Sequence, residues 1–264
     1  MKKFATAVGL ALVTLVRAGP ARAQDNQDAA ALVDKADMIY RGKTSAALFD
    51  MVVKTRTSER TYKIVTWSQQ DDEEDRVLIK VLGPALWRGF GTLKIGNSLK
   101  LYDPKSNHVT VVSHSMLGDS WMGSHFSNDD LVKETRLARD YRVKPLSATT
   151  RDSELGTQVT YHTLELRPKP RAPVVWGRVV YELWSHGDAA IPVKVAYFRK
   201  PGDRAPTRTI RFSNVREFDG KLAPAQVEVT VADKPGEFTR VAYESIKLGA
   251  RIPARKFTEQ ALRN

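Results

Sequence analysis

Three neighbouring stretches decide how this chain is read: SAALFDMVVK at 45–54, YKIVTW at 62–67 and RVLIKV at 76–81. Phe49, Met51 and Val53 alternate with Leu48, Asp50, Val52 and Lys54. Tyr62, Ile64 and Thr66 alternate with Lys63, Val65 and Trp67, and Val77, Ile79 and Val81 with Arg76, Leu78 and Lys80. A period of two sends successive side chains to opposite faces of a strand, and the β-branched and aromatic content suits that conformation. The acidic run 71–75 between the second and third stretches reads as a solvated hairpin loop.

The same rhythm continues outward. Shorter strands are predicted at 92–95, 99–102 and 109–112, and longer ones at 158–166, 177–185, 193–199, 207–218, 226–232 and 239–247. Turn residues stand between them at Gly96-Asn97, Asp103-Pro104, Gly187-Asp188, Pro201-Gly202, Asp219-Gly220 and Pro235-Gly236. About twelve strands at this spacing imply a mostly β chain folded as one large antiparallel sheet or barrel. Gly89, Gly91 and Gly96 read as strand bends, because no helix pattern follows them to make a phosphate loop.

Two segments break the alternation. Over 28–41, Ala29, Leu32, Ala36, Ile39 and Tyr40 share one helical face with Asp34, Lys35 and Asp37 largely opposite, and Gly42 stands where a C-cap glycine is expected. This helix either packs on a sheet in the ordinary way or plugs a β shell. Between Ser113 and Asp140, Met116, Leu117, Trp121, Met122 and Phe126 crowd a loop, where bulky apolar residues need a reason to be. They either cover the core or form a lid over an apolar cavity. Ser127 and Asp130 make a capping box, which predicts a short helix from Asn128 to about Leu137.

The N-terminus has the form of an export signal: Lys2 and Lys3, an apolar run from Phe4 to Val16, then Ala21-Arg22-Ala23. The run is shorter than the roughly 20 residues of a membrane span, so residues 1–23 are expected to be cleaved, leaving 24–264 as one domain in the periplasm. No cysteine occurs, which excludes disulfides, thiol catalysis, cysteine zinc sites and a lipid anchor on a cysteine after the signal. Without Lys2, Lys3, Arg17 and Arg22 the 42 basic residues become 38 against 30 acidic. The excess favours acidic surfaces, but the basic residues are scattered along strands and an exported chain leaves the cytoplasmic nucleic acid behind.

No set of groups able to act together as a catalyst is evident. Gly118-Asp119-Ser120 resembles the start of a GDS-type esterase block, yet the last histidine is His186 and Leu183 stands where the acid is needed. There is no Gly-x-Ser-x-Gly elbow and no His-Glu-x-x-His helix. His114 and His125 flank the apolar loop, but their spacing matches no metal-ligand frame. The expectation is a non-enzyme with no cofactor, no metal and no nucleic-acid partner.

The stretch 121–131, WMGSHFSNDDL, resembles the Met-Gly-Ser-Asp-Phe-Ser/Thr-x-x-Asp-Leu block of the LolA-like outer membrane lipoprotein-sorting protein family. Met122, Gly123, Ser124, Phe126, Asp130 and Leu131 match it, and His125 replaces the usual acid. Leu99-x-Leu101-Tyr102-x-Pro104, Ile191-Pro192 with Val195-x-Tyr197, and Ile252-Pro253 with Phe257-Thr258 and Leu262 are similar to further family patterns, so the likeness runs from about Ala30 to Leu262.

The resemblance implies an unclosed antiparallel β-barrel with an N-terminal helix and a helical lid, acting as a monomeric periplasmic carrier for lipoprotein acyl chains or other lipids. Such a carrier would work between an inner-membrane transporter and an outer-membrane acceptor. Cavity-lining positions taken from the alternation are Phe49, Met51, Ile64, Ile79, Leu93, Leu101, Val179, Tyr181 and Leu183. Trp121, Met122 and Phe126 are assigned to the lid. The rival readings are a periplasmic sensor or interaction module, an accessory protein of a membrane transporter, and an integral outer-membrane barrel. The last is disfavoured by charged outward positions such as Arg76, Lys80, Arg178 and Glu182.

Overall fold

The alternation over 45–81 becomes three adjacent antiparallel strands, β1 (Thr44–Lys54), β2 (Glu59–Gln69) and β3 (Arg76–Gly83), with Phe49 opposite Ile64 and Thr66 opposite Ile79. The computed structural model describes residues 20–40, 42–70, 74–132, 137–172 and 174–264. The expected export signal, apart from its last four residues, lies outside them, as do positions 71–73 of the acidic loop.

The chain continues through β4 (Gly91–Ile95), β5 (Ser98–Asp103) and β6 (His108–Val111), crosses over, and resumes with β7 (Tyr141–Asp152), β8 (Gln158–Pro168), β9 (Arg178–His186) and β10 (Ala189–Phe198). It closes with β11 (Arg208–Phe218), β12 (Lys221–Val231) and β13 (Phe238–Leu248). All thirteen strands form one sheet in the order β6-β5-β4-β3-β2-β1-β13-β12-β11-β10-β9-β8-β7. Two meanders are thus joined where β1 pairs with β13. Strands β6 and β7, consecutive in the chain, form opposite edges, so the barrel is unclosed.

Most turns are the expected ones. At Asp219-Gly220 the two residues have φ 52° and 77° between the partners Phe218 and Lys221, the left-handed pair that a two-residue hairpin needs. Strand β7 is the one the alternation missed. It carries Pro145 and is exposed along nearly its whole length after Val143. As an edge strand it needs neither an apolar face nor every backbone donor.

One face of the sheet is largely apolar. By strand register Leu101 and Ile79 both partner Thr92, Ile64 pairs with Phe49, Met51 with Val241 and Val241 with Val227, while Ile210, Val195, Tyr181 and Leu164 are successive partners. Helix α1 (Pro20–Asp37) covers the β7–β10 half, burying Ala29, Val33 and Ala36 against Val179, Tyr181 and Leu183. The helix starts before and ends earlier than expected. Ile39 and Tyr40 lie beyond it, with Tyr40 stacked on Tyr243 at 4.8 Å and its hydroxyl donating to Pro224 O. Asp37, assigned to the polar face, turns inward and accepts from Tyr181 Oη at 3.2 Å and Leu137 N at 3.1 Å.

The opposite face has a small core of its own. Leu78, Leu93 and Tyr102 pack against Phe257 and Leu262, the latter on the short C-terminal helix α4 (Glu259–Arg263), which Thr258 caps. Lys80, read as an outward charge, is buried there, its ammonium donating to Leu262 O at 2.7 Å and Gly89 O at 3.1 Å. Burial and the neighbouring Lys256 lower its pKa. A β-carbon on Gly91 would stand 2.7 Å from Leu262 Cδ1 and 3.1 Å from Leu262 O. Gly91→Ala should therefore cost about 1–3 kcal/mol in chemical denaturation, as overpacking does. Much of that cost should vanish in the Leu262→Ala background if this contact is the cause.

Candidate functional site

The crossover from β6 to β7 spans 112–140 and holds 3-10 turns at His114–Met116 and Trp121–Gly123, then α2 (Asn128–Val132) and α3 (Leu137–Asp140). Positions 133–136 of the helix expected over 128–137 lie outside the described residues. The predicted capping box is present: Ser127 Oγ accepts from Asp130 N at 3.2 Å, and Asp130 Oδ2 accepts from Ser127 N at 2.7 Å. Asn128 N and Asp129 N donate to Asp119 O and Leu117 O, which ties the helix start to the preceding turn.

Residues 120–127 close on themselves. Ser120 and Ser127 form an isolated bridge, Trp121 N donates to Phe126 O at 2.8 Å, and Ser124 N donates to Trp121 O at 2.9 Å. The Ser124 hydroxyl oxygen accepts from Phe126 N at 3.1 Å. Met122 and Gly123 both take left-handed backbone, with φ of 52° and 67°. The left-handed backbone favours glycine at this position of the block, and a β-carbon there would stand 2.9 Å from Arg60 Nη2, so the arginine tip would have to shift.

Polar contacts from β4, β13 and β11 hold this loop to the apolar face, through Thr92, Thr239 and Arg208, and Gly123 passes close to Arg60 of β2. His125 sits over Thr239 of β13, whose Oγ1 lies 2.9 Å from both His125 N and Nδ1. Asp130 takes two hydrogen bonds, at 2.7 and 2.9 Å, from Nη1 of the buried Arg208 at the start of β11. Because Thr239 Oγ1 already accepts from His125 N, its proton is free to serve Nδ1. That arrangement selects the tautomer with hydrogen on Nε2, 3.7 Å from Glu237 Oε2. Burial lowers the His125 pKa, with Lys234 and Arg208 acting in the same sense and Glu237 opposing. The ring is therefore neutral at neutral pH.

Trp121 is 4% exposed and its indole N–H donates to Thr92 Oγ1 at 3.1 Å. Together with Met122 it roofs an apolar cavity of about 180 Å³ walled by Ile79, Val81, Trp87, Phe90, Leu101 and Tyr102. A dry cavity of about 150 Å³ accepts a benzene-sized molecule, so this one has room for a ring or a few methylenes. A smaller cavity of about 120 Å³ shares Ile79 and Thr92 and adds Leu99, Leu131, Lys94 and Asp130.

The structure distributes the expected cavity positions over four settings. Ile79 and Leu101 line the cavity roofed by Trp121 and Met122. Phe49, Met51 and Ile64 face the same way, but are buried in the cluster beneath the loop, where Phe126 also packs. Val179, Tyr181 and Leu183 point inward under α1, which fills the space above them. Leu93 lies on the other face, against Phe257 and Leu262, because it pairs with Leu78 and not with Ile79. Trp87 and Phe90 were not singled out from the sequence. Bulky apolar residues in the turn-rich stretch 83–91 were the available signal, the same one that marked Trp121 and Met122.

Comparison with known proteins agrees with this geometry. The fold is LolA-like. The chain matches, with a TM-score of 0.72 and 19% identity, an outer membrane lipoprotein-sorting protein domain from Vibrio parahaemolyticus, over 91% of this chain and 100% of that one. A DUF1329 family protein from Desulfovibrio piger matches at 0.75 and 20% over 90% and 99% of the two chains. A LolA superfamily protein from Nitrosomonas europaea matches at 0.66 and 21% over 88% and 98%. A protein-family model with the description "Uncharacterized protein" matches residues 73–264, and the chain belongs to that family. No curated protein matches the sequence.

Two outcomes test how the loop is held. Gly123→Ala should lower thermal stability, and Arg60→Ala in the same chain should recover part of the loss by removing the clash. The pH response follows from His125. Its lowered pKa means that the unfolded chain takes up the proton first as pH falls below about 6.5. Stability is then full above that value and declines as the pH approaches the folded-state value. Thermal melts between pH 7.5 and 5 should show a smaller decline for His125→Asn than for the native chain.

Proposed function

We propose that this protein is a periplasmic carrier that shelters the acyl chains of lipoproteins or another lipid on its apolar inner face, with the 112–140 crossover as lid. The observation that carries the reading is the cavity roofed by Trp121 and Met122. It is walled mostly by hydrocarbon, with Thr92, Asp103 and Thr110 as polar exceptions, lies on a sheet whose edges do not meet, and is partly covered by a segment that side-chain hydrogen bonds hold in place. Exposing an acyl chain to water costs roughly 0.8 kcal/mol per CH₂, so a carrier needs a dry surface that can be opened and shut. The lipoprotein-sorting and LolA superfamily names of the matched structures support the same reading.

At about 180 Å³ the closed cavity takes only part of a long chain. Loading then lifts the Trp121–Phe126 loop from Phe49, Met51 and Ile64, joining the cavity to the buried row beneath. Export to the periplasm follows from the signal-like residues 1–23, and the further partners would be an inner-membrane donor and an outer-membrane acceptor. No catalytic step is assigned to the site.

Native mass spectrometry of the protein from its host should show a bound lipid, and a fluorescent acyl probe should bind the stripped protein. Leu101→Glu places a charge in the cavity wall and should weaken that probe at least tenfold with an unchanged circular dichroism spectrum. Absence of both co-purified lipid and probe binding would sink the proposal.

A further inference from the structure

Arg60 and Tyr62 lie two residues apart on β2, so their side chains rise from the same face of the sheet, the one that carries the lid. Tyr62 is fully buried, and neither its hydroxyl nor Arg60 Nε has a hydrogen-bond partner among the described residues. Buried polar groups in folded proteins are nearly always satisfied, by protein, by water or by a bound group, so each exception calls for a partner. Burial raises the Tyr62 pKa although Arg60 opposes it, so the phenol keeps its proton and is available as a donor.

Both groups adjoin the cavity through its own walls. The Tyr62 ring meets Trp87 edge-on at a centroid distance of 5.5 Å, and Trp87 lines the cavity. Arg60 lies against Gly123, the residue after Met122 of the cavity roof. A cation and a hydroxyl donor therefore stand together beside a space otherwise walled largely by hydrocarbon. An anionic oxygen group would accept from both donors and supply the half-buried guanidinium with a counter-charge, which a neutral ligand would not.

We infer that Arg60 and Tyr62 form the polar end of the site and receive the carboxylate or phosphate of an anionic amphiphile whose hydrocarbon part enters the Trp87–Met122 cavity. The inference rests on the carrier reading and deepens it by specifying the head group.

Calorimetry on the delipidated, signal-free protein with dodecanoate, dodecyl phosphate and dodecanol tests this. Both anions should bind at least tenfold more tightly than dodecanol, and the ratio between the two anions identifies carboxylate or phosphate as the preferred head. Tyr62→Phe, which removes a single oxygen, should shrink the preference several-fold. Arg60→Gln should bring the anions down to the dodecanol level, and Arg60→Lys should restore part of the difference. Equal binding of all three, or a preference that survives both Arg60→Gln and Tyr62→Phe, overturns the inference and leaves the carrier reading standing. Failure of all three to bind overturns both.

Discussion

The fold turns on a sheet that does not close. Strands β6 and β7 follow one another in sequence yet sit at opposite edges of thirteen strands, while β1 and β13 are paired in the middle. The chain between β6 and β7 therefore has to travel from one edge to the other. Crossing the apolar face lets it bury Trp121, Phe126 and Leu137 on the way. A cover for the inner face is thus built into the connectivity, and its bulky loop residues follow from that path.

The two halves of the inner face are covered by different means. Over β7–β10, α1 packs on the sheet, with Asp37 joining Tyr181 and the start of α3 in one hydrogen-bonded group. Over β1–β4 and β11–β13 the cover is a loop of a dozen residues, tied down by Thr92, Thr239 and Arg208. A helix buries a whole apolar stripe, whereas the loop inserts single side chains, Trp121 above all, between its hydrogen-bonded anchors. The cavity roofed by Trp121 and Met122 lies under the loop.

Much of this arrangement is legible in the residues. The inward set Phe49, Met51, Ile64, Ile79 and Leu101 follows from alternation alone, and the Ser127–Asp130 capping box reads directly as the start of α2. Failures have particular causes. Strand β7 escaped because an edge strand can be polar and contain proline. Leu93 was assigned to the wrong face because β4 turns polar residues inward: Thr92 and Lys94 lie on the face of Ile79, while the apolar Leu93 meets the C-terminal residues Phe257 and Leu262. Lys80 looked like solvent-exposed charge until the carbonyls at Leu262 and Gly89 gave it partners.

Sequence by itself determined every strand but β7, most of the turns, the inward parity of most strands and the presence of an apolar, helix-initiating loop between two runs of strands. Those properties are set by neighbours within a few residues, where side-chain period, left-handed glycines and capping groups act. Only the tertiary structure decided which inward residues face open space and which are covered by α1. It also brought Arg60, Thr239 and Arg208 under one loop, though they are far apart in the chain. Strand order and long-range closure control those outcomes, and no local pattern of residues encodes them.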